Sequence, residues 1–319
     1  MTSPQQTATS PFNFENDVRR TILLRLEHDP ADHAALQVMS PADLLVLWLN
    51  WHSRFIPLRP REVSISWEFA ANPLRWHPTY RPAIDHILDA LKTGRDVNPH
   101  LSEDVLIGYE GLVRRAKRKR PDLDLLLNDW NVHHLHLSLA PYRKGLLART
   151  GPLLFVMVGR EQASILDIFP HGSFSRDRIA HIMIDNWPKA NFVHLRGDVV
   201  SGHTVSEAER DARRKAGIHS GLVDHRGKWY FIGLGGLTSA STNIQHSRLA
   251  NVVMRGLRQL EEHAPEYLDW VTETLRLNNI PVPPALDLHF IIRNDGWFAI
   301  REETTQVLLE IPGLPKDPG

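Results

Sequence analysis

Three short apolar segments lie between residues 132 and 169, and they constrain the fold more strongly than any other part of the sequence. The segments span 132–137, 153–158 and 163–169, and connections that contain glycine or proline separate them. Runs of roughly 4–8 apolar or alternating residues between turn-forming residues are typical of β-strands. Strands that follow one another in this way usually lie side by side. The sequence therefore predicts three consecutive strands in an antiparallel sheet.

Helices are predicted before and after these strands, and a hairpin is predicted near the C-terminus. We expect one helix over about 102–118 and another over about 175–186, where apolar residues recur near helical spacing. The apolar runs 286–292 and 297–301 flank Asp295-Gly296, a dipeptide that favours tight hairpin turns. We expect an α+β fold with an antiparallel sheet, helices packed on one side of it, and a C-terminal α+β region that contains the β-hairpin.

The domain organisation is predicted from the length and from changes along the chain. A length of 319 residues suggests roughly two domains of about 150 residues each. Residues 1–12 are polar and contain proline, so we expect a disordered tail there. Residues 13–189 are expected to form a helical N-terminal part with a His-rich antiparallel sheet domain. Residues 190–319 are expected to form a C-terminal α+β domain.

The composition excludes several kinds of site and partner. The chain contains no cysteine, so disulfides, thiolate nucleophiles and Cys-ligated metal sites are excluded. Lys and Arg together number 37, as do Asp and Glu, so the net charge by itself favours neither nucleic acid nor membrane. No run approaches the ~18 apolar residues of a membrane-spanning helix. We therefore expect a cytoplasmic protein without a membrane partner.

Histidines are abundant, and several of them fall in the first predicted strand. The chain has 18 histidines, and three of them are His133, His134 and His136. Because side chains alternate along a strand, His134 and His136 are expected on one face and His133 on the other. Two imidazoles on one face can hold a metal ion, or they can place a base and an acid over a substrate. An ordinary half-buried sheet face is the plainer interpretation of the same residues.

A second group of candidate residues follows the third predicted strand. His171 lies just beyond that strand, before Gly172, and Phe174 comes shortly afterwards. Functional side chains are often displayed where a strand ends. In an antiparallel meander, such an end can lie beside a residue two strands away. We therefore expect His171 and Phe174 near the histidines of the first strand.

Basic residues surround this part of the sequence. Arg143, Lys144 and Arg149 fall in the connection between the first two strands, and Arg118 and Arg120 end a basic run before them. Positive charge of this kind favours a phosphodiester backbone. The same run also complements the negative end of a helix, so a solvated helix end explains it equally well.

One function that these residues can support is RNA cleavage without a metal. RNA carries its own nucleophile, the 2′-hydroxyl, and an enzyme must supply a base, an acid and a cation for the phosphorane charge. We predict His134 or His136 as the base and His171 as the acid. Arg149 and Lys144 are the predicted charge stabilisers. The predicted substrate-binding residues are Lys144, Arg143, Phe174, Arg118 and Arg120.

Two further interpretations stay open at this point. In the first, His134, His136 and His171 bind Zn²⁺ or Mn²⁺ with Asp167, and the protein is a metal-dependent hydrolase. In the second, the protein is a non-enzymatic binding or scaffold protein. The metal-independent interpretation requires no cofactor. None of the three determines the oligomeric state.

The central segment resembles the RelE/ParE toxin superfamily, and in particular its mRNA-cleaving branch. The matching pieces are His134-Leu135-His136, the apolar strand 153–156 and His171-Gly172-Ser173-Phe174. The likeness covers residues ~100–185. It implies a RelE-like central sheet, RNA cleavage and an antitoxin-like protein partner. The chain departs from the pattern at Thr150-Gly151, where such toxins carry an acidic residue, and in its neutral charge.

Overall fold

The computed structural model describes residues 11–111, 120–188, 192–194, 205–219, 222–232, 235–293 and 295–314. The predicted α+β class is confirmed, because helices pack against mixed and antiparallel sheets. The helices are α1 (Phe14–Arg25), α2 (His33–Gln37), α3 (Pro41–His52), α4 (Trp67–Ala71), α5 (Arg81–Thr93), α6 (Leu125–Trp130), α7 (Asp177–Asn186), α8 (Glu207–Lys215), α9 (Ile244–Glu262) and α10 (Ala264–Leu277). The strands are β1 (Glu62–Ile65), β2 (Val132–His136), β3 (Pro152–Val158), β4 (Gln162–Pro170), β5 (Phe192–His194), β6 (Leu222–His225), β7 (Lys228–Ile232), β8 (Leu288–Ile292), β9 (Phe298–Glu302) and β10 (Leu308–Leu309).

The chain forms two compact units, one of residues 1–48 with 247–318 and one of residues 49–246. In the first unit, β8 and β9 form the predicted C-terminal hairpin, and β10 extends it. Helix α1 packs on this sheet, where Asp17 Oδ2 accepts a hydrogen bond from the Phe290 backbone N–H at 3.2 Å. The boundary that we predicted between residues 189 and 190 falls outside the described residues and stays a prediction.

The predicted N-terminal tail is only partly described. Residues 1–10 lie outside the described residues. Phe12 is buried and stacks on Phe14, with 4.7 Å between the ring centroids. An aromatic side chain therefore fixes the last residues of that segment.

The second unit is built on a four-stranded sheet with the order β1-β4-β3-β2. Strands β2, β3 and β4 form the predicted antiparallel meander, with His134 opposite Phe155 and His136 opposite Leu153. Strand β1 departs from the prediction, because it pairs with β4 in parallel. A parallel partner far away in the sequence leaves no local turn signal, so the meander alone does not predict it.

Both faces of this sheet are covered, which corrects the prediction of helices on one side. Residues of α5 pack with Leu135, Leu154 and Val156 on one face. Residues of α7 pack with Leu153 and Phe155 on the other face. The physical reason is the continuous apolar run of β3, because a strand that is apolar at successive positions must be buried on both faces.

Helix α6 leads directly into β2. Its N-cap residue is Asp124, whose Oδ1 accepts a hydrogen bond from the Leu127 N–H at 3.0 Å. The helix ends at Asn131, whose backbone φ of 56° is the left-handed conformation that asparagine tolerates at a helix end. This turn sets the direction in which β2 starts and therefore the face on which its histidines lie.

The helix that we predicted over 102–118 does not form as predicted. A 3₁₀ helix covers Glu103–Leu106, and residues 107–111 are not helical. The remainder, 112–119, falls outside the described residues.

Among the helices that the structure describes, none combines the length and apolar character that a membrane crossing requires.

Gly235 provides a test of the packing around α6. A Cβ atom at this position would lie 2.4 Å from the Asp129 carbonyl oxygen and 2.6 Å from that of Asn128. We predict that Gly235→Ala lowers the free energy of unfolding by about 1–3 kcal/mol, because backbone atoms would have to move apart. Gly151→Ala is the matched control, since no atom lies within 4 Å of the place that its methyl group would take. Equal stabilities of the two variants in urea would contradict this packing.

Candidate active site

An open cleft of about 1300 Å³ lies beside β2 in the second unit. Seven of the residues that the sequence singled out line it. They are His133, His134, His136, Arg149, His171, Phe174 and Arg120. Side chains from β2, from the β2–β3 connection and from the loop after β4 therefore meet in one place.

His134 lies in this cleft with a carboxylate behind it. Its Nδ1 lies 3.5 Å from Asp124 Oδ2, which is within ion-pair distance although outside hydrogen-bond geometry. The side chain is 18 % exposed, and its ring lies 4.9 Å from the Phe174 ring. Within the described residues, Nε2 makes no hydrogen bond. A carboxylate facing Nδ1 favours the tautomer that leaves Nε2 free to accept a proton.

His136 lies deeper in the cleft, and its burial disfavours the charged form of its ring. Its Nδ1 accepts a hydrogen bond from the Thr150 backbone N–H at 3.0 Å, and the residue is 1 % exposed. Burial, with the nearby charges of His134 and Arg149, lowers the pKa of His136 to about 4. The ring is therefore neutral at pH 7, with its proton on Nε2. This tautomer can donate a hydrogen bond, but it does not act as a base at neutral pH.

His133 points away from these rings, as the alternation predicts. Its Nε2 lies 3.3 Å from the Ser53 carbonyl oxygen, so Nε2 is the donor. Burial lowers its pKa to about 4. His133 thus joins β2 to the segment after α3 as a neutral, structural histidine.

His171 lies just beyond β4, and an arginine accompanies it. Arg149 Nη2 lies 3.4 Å from His171 Nε2, and the His171 backbone N–H donates to the Gly151 carbonyl at 2.6 Å. The Phe174 ring lies edge-on to the His171 ring, with 5.5 Å between the centroids. Phe174 therefore contacts both His134 and His171.

Two cations give the cleft a local positive charge. Arg149 and Arg176 both line it, and in the part of the chain that the structure describes neither guanidinium pairs with a carboxylate. Arg120 also lines the cleft, but both of its contacts to Asp122, at 3.1 Å each, already neutralise it. Arg149 and Arg176 are thus the arginines best suited to a bound anion.

Several predicted residues are not brought to this place. Arg143 pairs with Glu103 at 3.0 Å, and Lys144 is exposed in a turn with a φ of 55°. Neither of them lines the cleft, because the turn directs them to solvent. Asp167 accepts a hydrogen bond from Asn72 at 2.7 Å and also lies away from the cleft. Arg118 lies outside the described residues.

The metal-site interpretation lacks support in this geometry. In the ranges that the structure describes, no group of three or more His, Asp or Glu side chains is arranged to hold a metal ion. Of the four residues that we considered as ligands of Zn²⁺ or Mn²⁺, Asp167 bonds to Asn72 and does not line the cleft where the three histidines lie. His136 Nδ1 is also occupied by the Thr150 N–H.

No protein-family model, no curated protein and no solved structure matches this chain. The resemblance to the RelE/ParE superfamily therefore stays a prediction.

Sequence reasoning missed two polar residues of the cleft, Asp124 and Arg176. Asp124 stands before the apolar run of α6, and an aspartate in that position is a recognisable N-cap signal. That signal predicts a helix start, but it does not reveal that the second carboxylate oxygen faces His134. Arg176 is the N-cap residue of α7 without a side-chain cap, and no pattern distinguishes it from other surface arginines.

Because the pKa of His136 is lowered in the folded protein, the free energy of unfolding should depend on pH. Below about pH 6.5 the unfolded chain binds a proton at this ring, whereas the folded chain does not bind it until about pH 4. The folded state therefore loses stability as the pH falls through this window, by up to about 1.4 kcal/mol per pH unit for one proton. We predict that His136→Asn reduces this slope in urea unfolding between those pH values. The exposed His77→Asn is the control, and an unchanged slope in His136→Asn would contradict the assignment.

Proposed function

We propose that this protein is a ribonuclease that cleaves RNA by histidine general acid–base catalysis. The observation that carries the proposal is the meeting of His134, His171 and Arg149 in one open cleft. Imidazoles titrate near neutral pH and so can serve as base and acid in one reaction. The guanidinium supplies the positive charge that a phosphodiester needs.

The aromatic ring of Phe174 supports RNA over a small phosphate ester. It contacts the rings of both His134 and His171 on the wall of the cleft. Proteins bind single-stranded RNA by stacking its bases on such rings. A base stacked on Phe174 would place its ribose and phosphate near both imidazoles. The size of the cleft also suits more than a single small group.

The proposed reaction begins with proton transfer to His134. Nε2 accepts the proton of the 2′-hydroxyl, and Asp124 stabilises the imidazolium that forms. The 2′-oxygen attacks the adjacent phosphorus and forms a pentacoordinate phosphorane. Its bond to the 5′-oxygen then breaks, and protonated His171 gives that oxygen its proton. The products are a 2′,3′-cyclic phosphate and a 5′-hydroxyl.

Arg149 has two effects in this scheme. Its guanidinium stabilises the negative charge that develops on the phosphorane. Because its Nη2 lies 3.4 Å from His171 Nε2, it also holds the phosphate beside the ring that donates the proton.

The biological role of a toxin with an antitoxin-like partner depends on the resemblance in the central segment alone. The cleft geometry supports RNA cleavage independently of that resemblance. The cleft geometry adds no support for an antitoxin-like partner.

The two proposed proton-transfer residues can be tested by substitution. We predict that His134→Ala and His171→Ala each lower kcat/KM for RNA cleavage about 10²–10⁴-fold, the usual contribution of a general acid or base. The measurement is cleavage of a fluorogenic oligoribonucleotide at pH 6–8. His77→Ala, an exposed histidine outside the cleft, is the control and should cleave like the wild type. Full cleavage by the His134→Ala/His171→Ala double variant would end the proposal.

The role of Asp124 gives a second prediction. Asp124→Asn keeps an oxygen that can cap α6, so the fold should be retained. The loss of the charge behind His134 should lower kcat about 10–100-fold, because a carboxylate at ion-pair distance stabilises the imidazolium by an amount on the order of 1–3 kcal/mol. Circular dichroism and thermal unfolding would verify the fold beside the kinetics. A folded Asp124→Asn variant with unchanged kcat would show that this carboxylate has no part in catalysis.

A further inference from the structure

Helix α8 presents two buried arginines to one aromatic ring. Arg210 and Arg214 are 2 % and 1 % exposed, and they lie one turn apart on the helix. Their guanidinium carbons lie 5.2 Å and 4.2 Å from the centroid of the Trp130 ring. Cations at such distances from an indole are stabilised by its π-electrons. The end of α6, where Trp130 lies, is therefore held by two residues of α8.

Arg214 continues from this ring into the loop that carries the candidate site. Its Nε donates to Asp129 Oδ2 at 2.5 Å, and its Nη1 donates to the Phe174 carbonyl oxygen at 2.5 Å. One planar guanidinium thus joins the residue before Trp130 to the loop after β4. Such a fork fixes two acceptors at a defined separation, which a lysine does not do.

Asp129 is a suitable anchor for this contact. The residue is fully buried, and its second oxygen, Oδ1, lies 2.8 Å from His219 Nδ1. Although burial raises the pKa of Asp129, the contacts with His219 and Arg214 hold it below its usual value. The carboxylate is therefore charged at neutral pH and holds Arg214 in a fixed orientation.

We infer that Arg214 is a positioning residue that holds the Phe174 ring against His134 and His171. The inference depends on the proposed function for its consequence, which is the alignment of a stacked base with the two imidazoles. The Phe174 carbonyl is the only point at which Arg214 meets this loop among the described hydrogen bonds. Loss of that contact should free the ring without removing a proton-transfer group. It should therefore weaken substrate binding more than it slows the chemical step.

Arg210 provides a matched comparison. It lies on the same helix, contacts the same Trp130 ring and is buried to the same degree. Its ion pair, however, is with Asp177 at the start of α7 and not with Phe174. A lysine at either position keeps the charge and removes the fork. The two substitutions thus differ mainly in whether the Phe174 carbonyl loses its donor.

The first experiment measures steady-state cleavage of an oligoribonucleotide by Arg214→Lys and Arg210→Lys. Arg214→Lys is expected to raise KM about 10-fold, as expected for a lost base stack, with kcat changed less than about 3-fold. Arg210→Lys should leave both constants near those of the wild type. Equal effects of the two variants on KM would overturn the inference. If Arg214→Lys does not fold, Asp129→Asn replaces it, since it weakens the same anchor while keeping an acceptor oxygen.

A double-mutant cycle tests whether Arg214 acts through Phe174. Phe174→Leu keeps an apolar side chain of comparable size and removes the stack, so KM should rise about 10-fold. The Arg214→Lys/Phe174→Leu double variant should then be no worse than Phe174→Leu alone. Additive effects, with KM raised about 100-fold in the double variant, would show that Arg214 acts by another route.

A spectroscopic measurement separates this inference from the proposed function. The Phe174 ring shifts the NMR signals of the imidazole C–H groups of His134 and His171, because both rings lie close to it. In ¹³C-histidine-labelled protein, these signals should move in Arg214→Lys towards their positions in Phe174→Leu, and they should not move in Arg210→Lys. Unchanged signals in Arg214→Lys would overturn the inference even if RNA is cleaved. If the wild type cleaves no RNA, the proposed function fails, and the same signals still decide the role of Arg214.

Discussion

The alternation of side chains along β2 is the constraint on which the candidate site depends. Because successive residues of a strand point to opposite faces, His134 and His136 lie with Phe155, while His133 and Leu135 face the other core. The turn at Asn131 sets this phase, and a shift of one residue would exchange the two sets. The positions of the site histidines are therefore fixed by a strand that packs against a hydrophobic core on each face.

Burial then gives the three histidines of β2 different chemical properties. His133 and His136 are almost fully buried, so their charged forms are disfavoured and their pKa values fall to about 4. His134 keeps contact with the cleft and with Asp124. One short segment therefore supplies two rings that are neutral at pH 7 and one ring that lies at ion-pair distance from a carboxylate. The number of histidines in the sequence does not by itself distinguish these roles.

Much of the second unit could be predicted from local patterns. The three strands of the meander and the helix at Asp177–Asn186 follow from apolar periodicity and turn residues, and so does the hairpin of the first unit. The parallel pairing of β1 could not be predicted, because nothing local to residues 62–65 specifies a partner a hundred positions away. The helix expected over 102–118 was wrong over its first part, where only a 3₁₀ helix forms.

The candidate site was predictable to a similar extent. His134 was identified from the alternation along a strand, His171 and Phe174 from their place after a strand, and Arg149 from its charge in the connection between two strands; all four line the cleft. Arg143 and Arg149 fall in the same connection of the sequence, yet only Arg149 lies close enough to His171 to contact it, while Arg143 pairs with Glu103. Residues that act through tertiary contacts, such as Asp124 and Arg214, carry no local signal of their role. These contacts depend on how α6 and α8 pack, and packing is not encoded in any short motif.

The ends that RNA cleavage leaves behind show whether the 2′-hydroxyl is the nucleophile. Oligoribonucleotides treated with the purified protein in the presence of a chelator can be analysed by mass spectrometry, beside the same sequence with a single 2′-deoxy sugar at the cleaved position. We predict 2′,3′-cyclic phosphate and 5′-hydroxyl ends, and no cleavage at the deoxy position, because the 2′-oxygen is the proposed nucleophile. Cleavage that leaves 5′-phosphate ends, or that proceeds at the deoxy position, would contradict it.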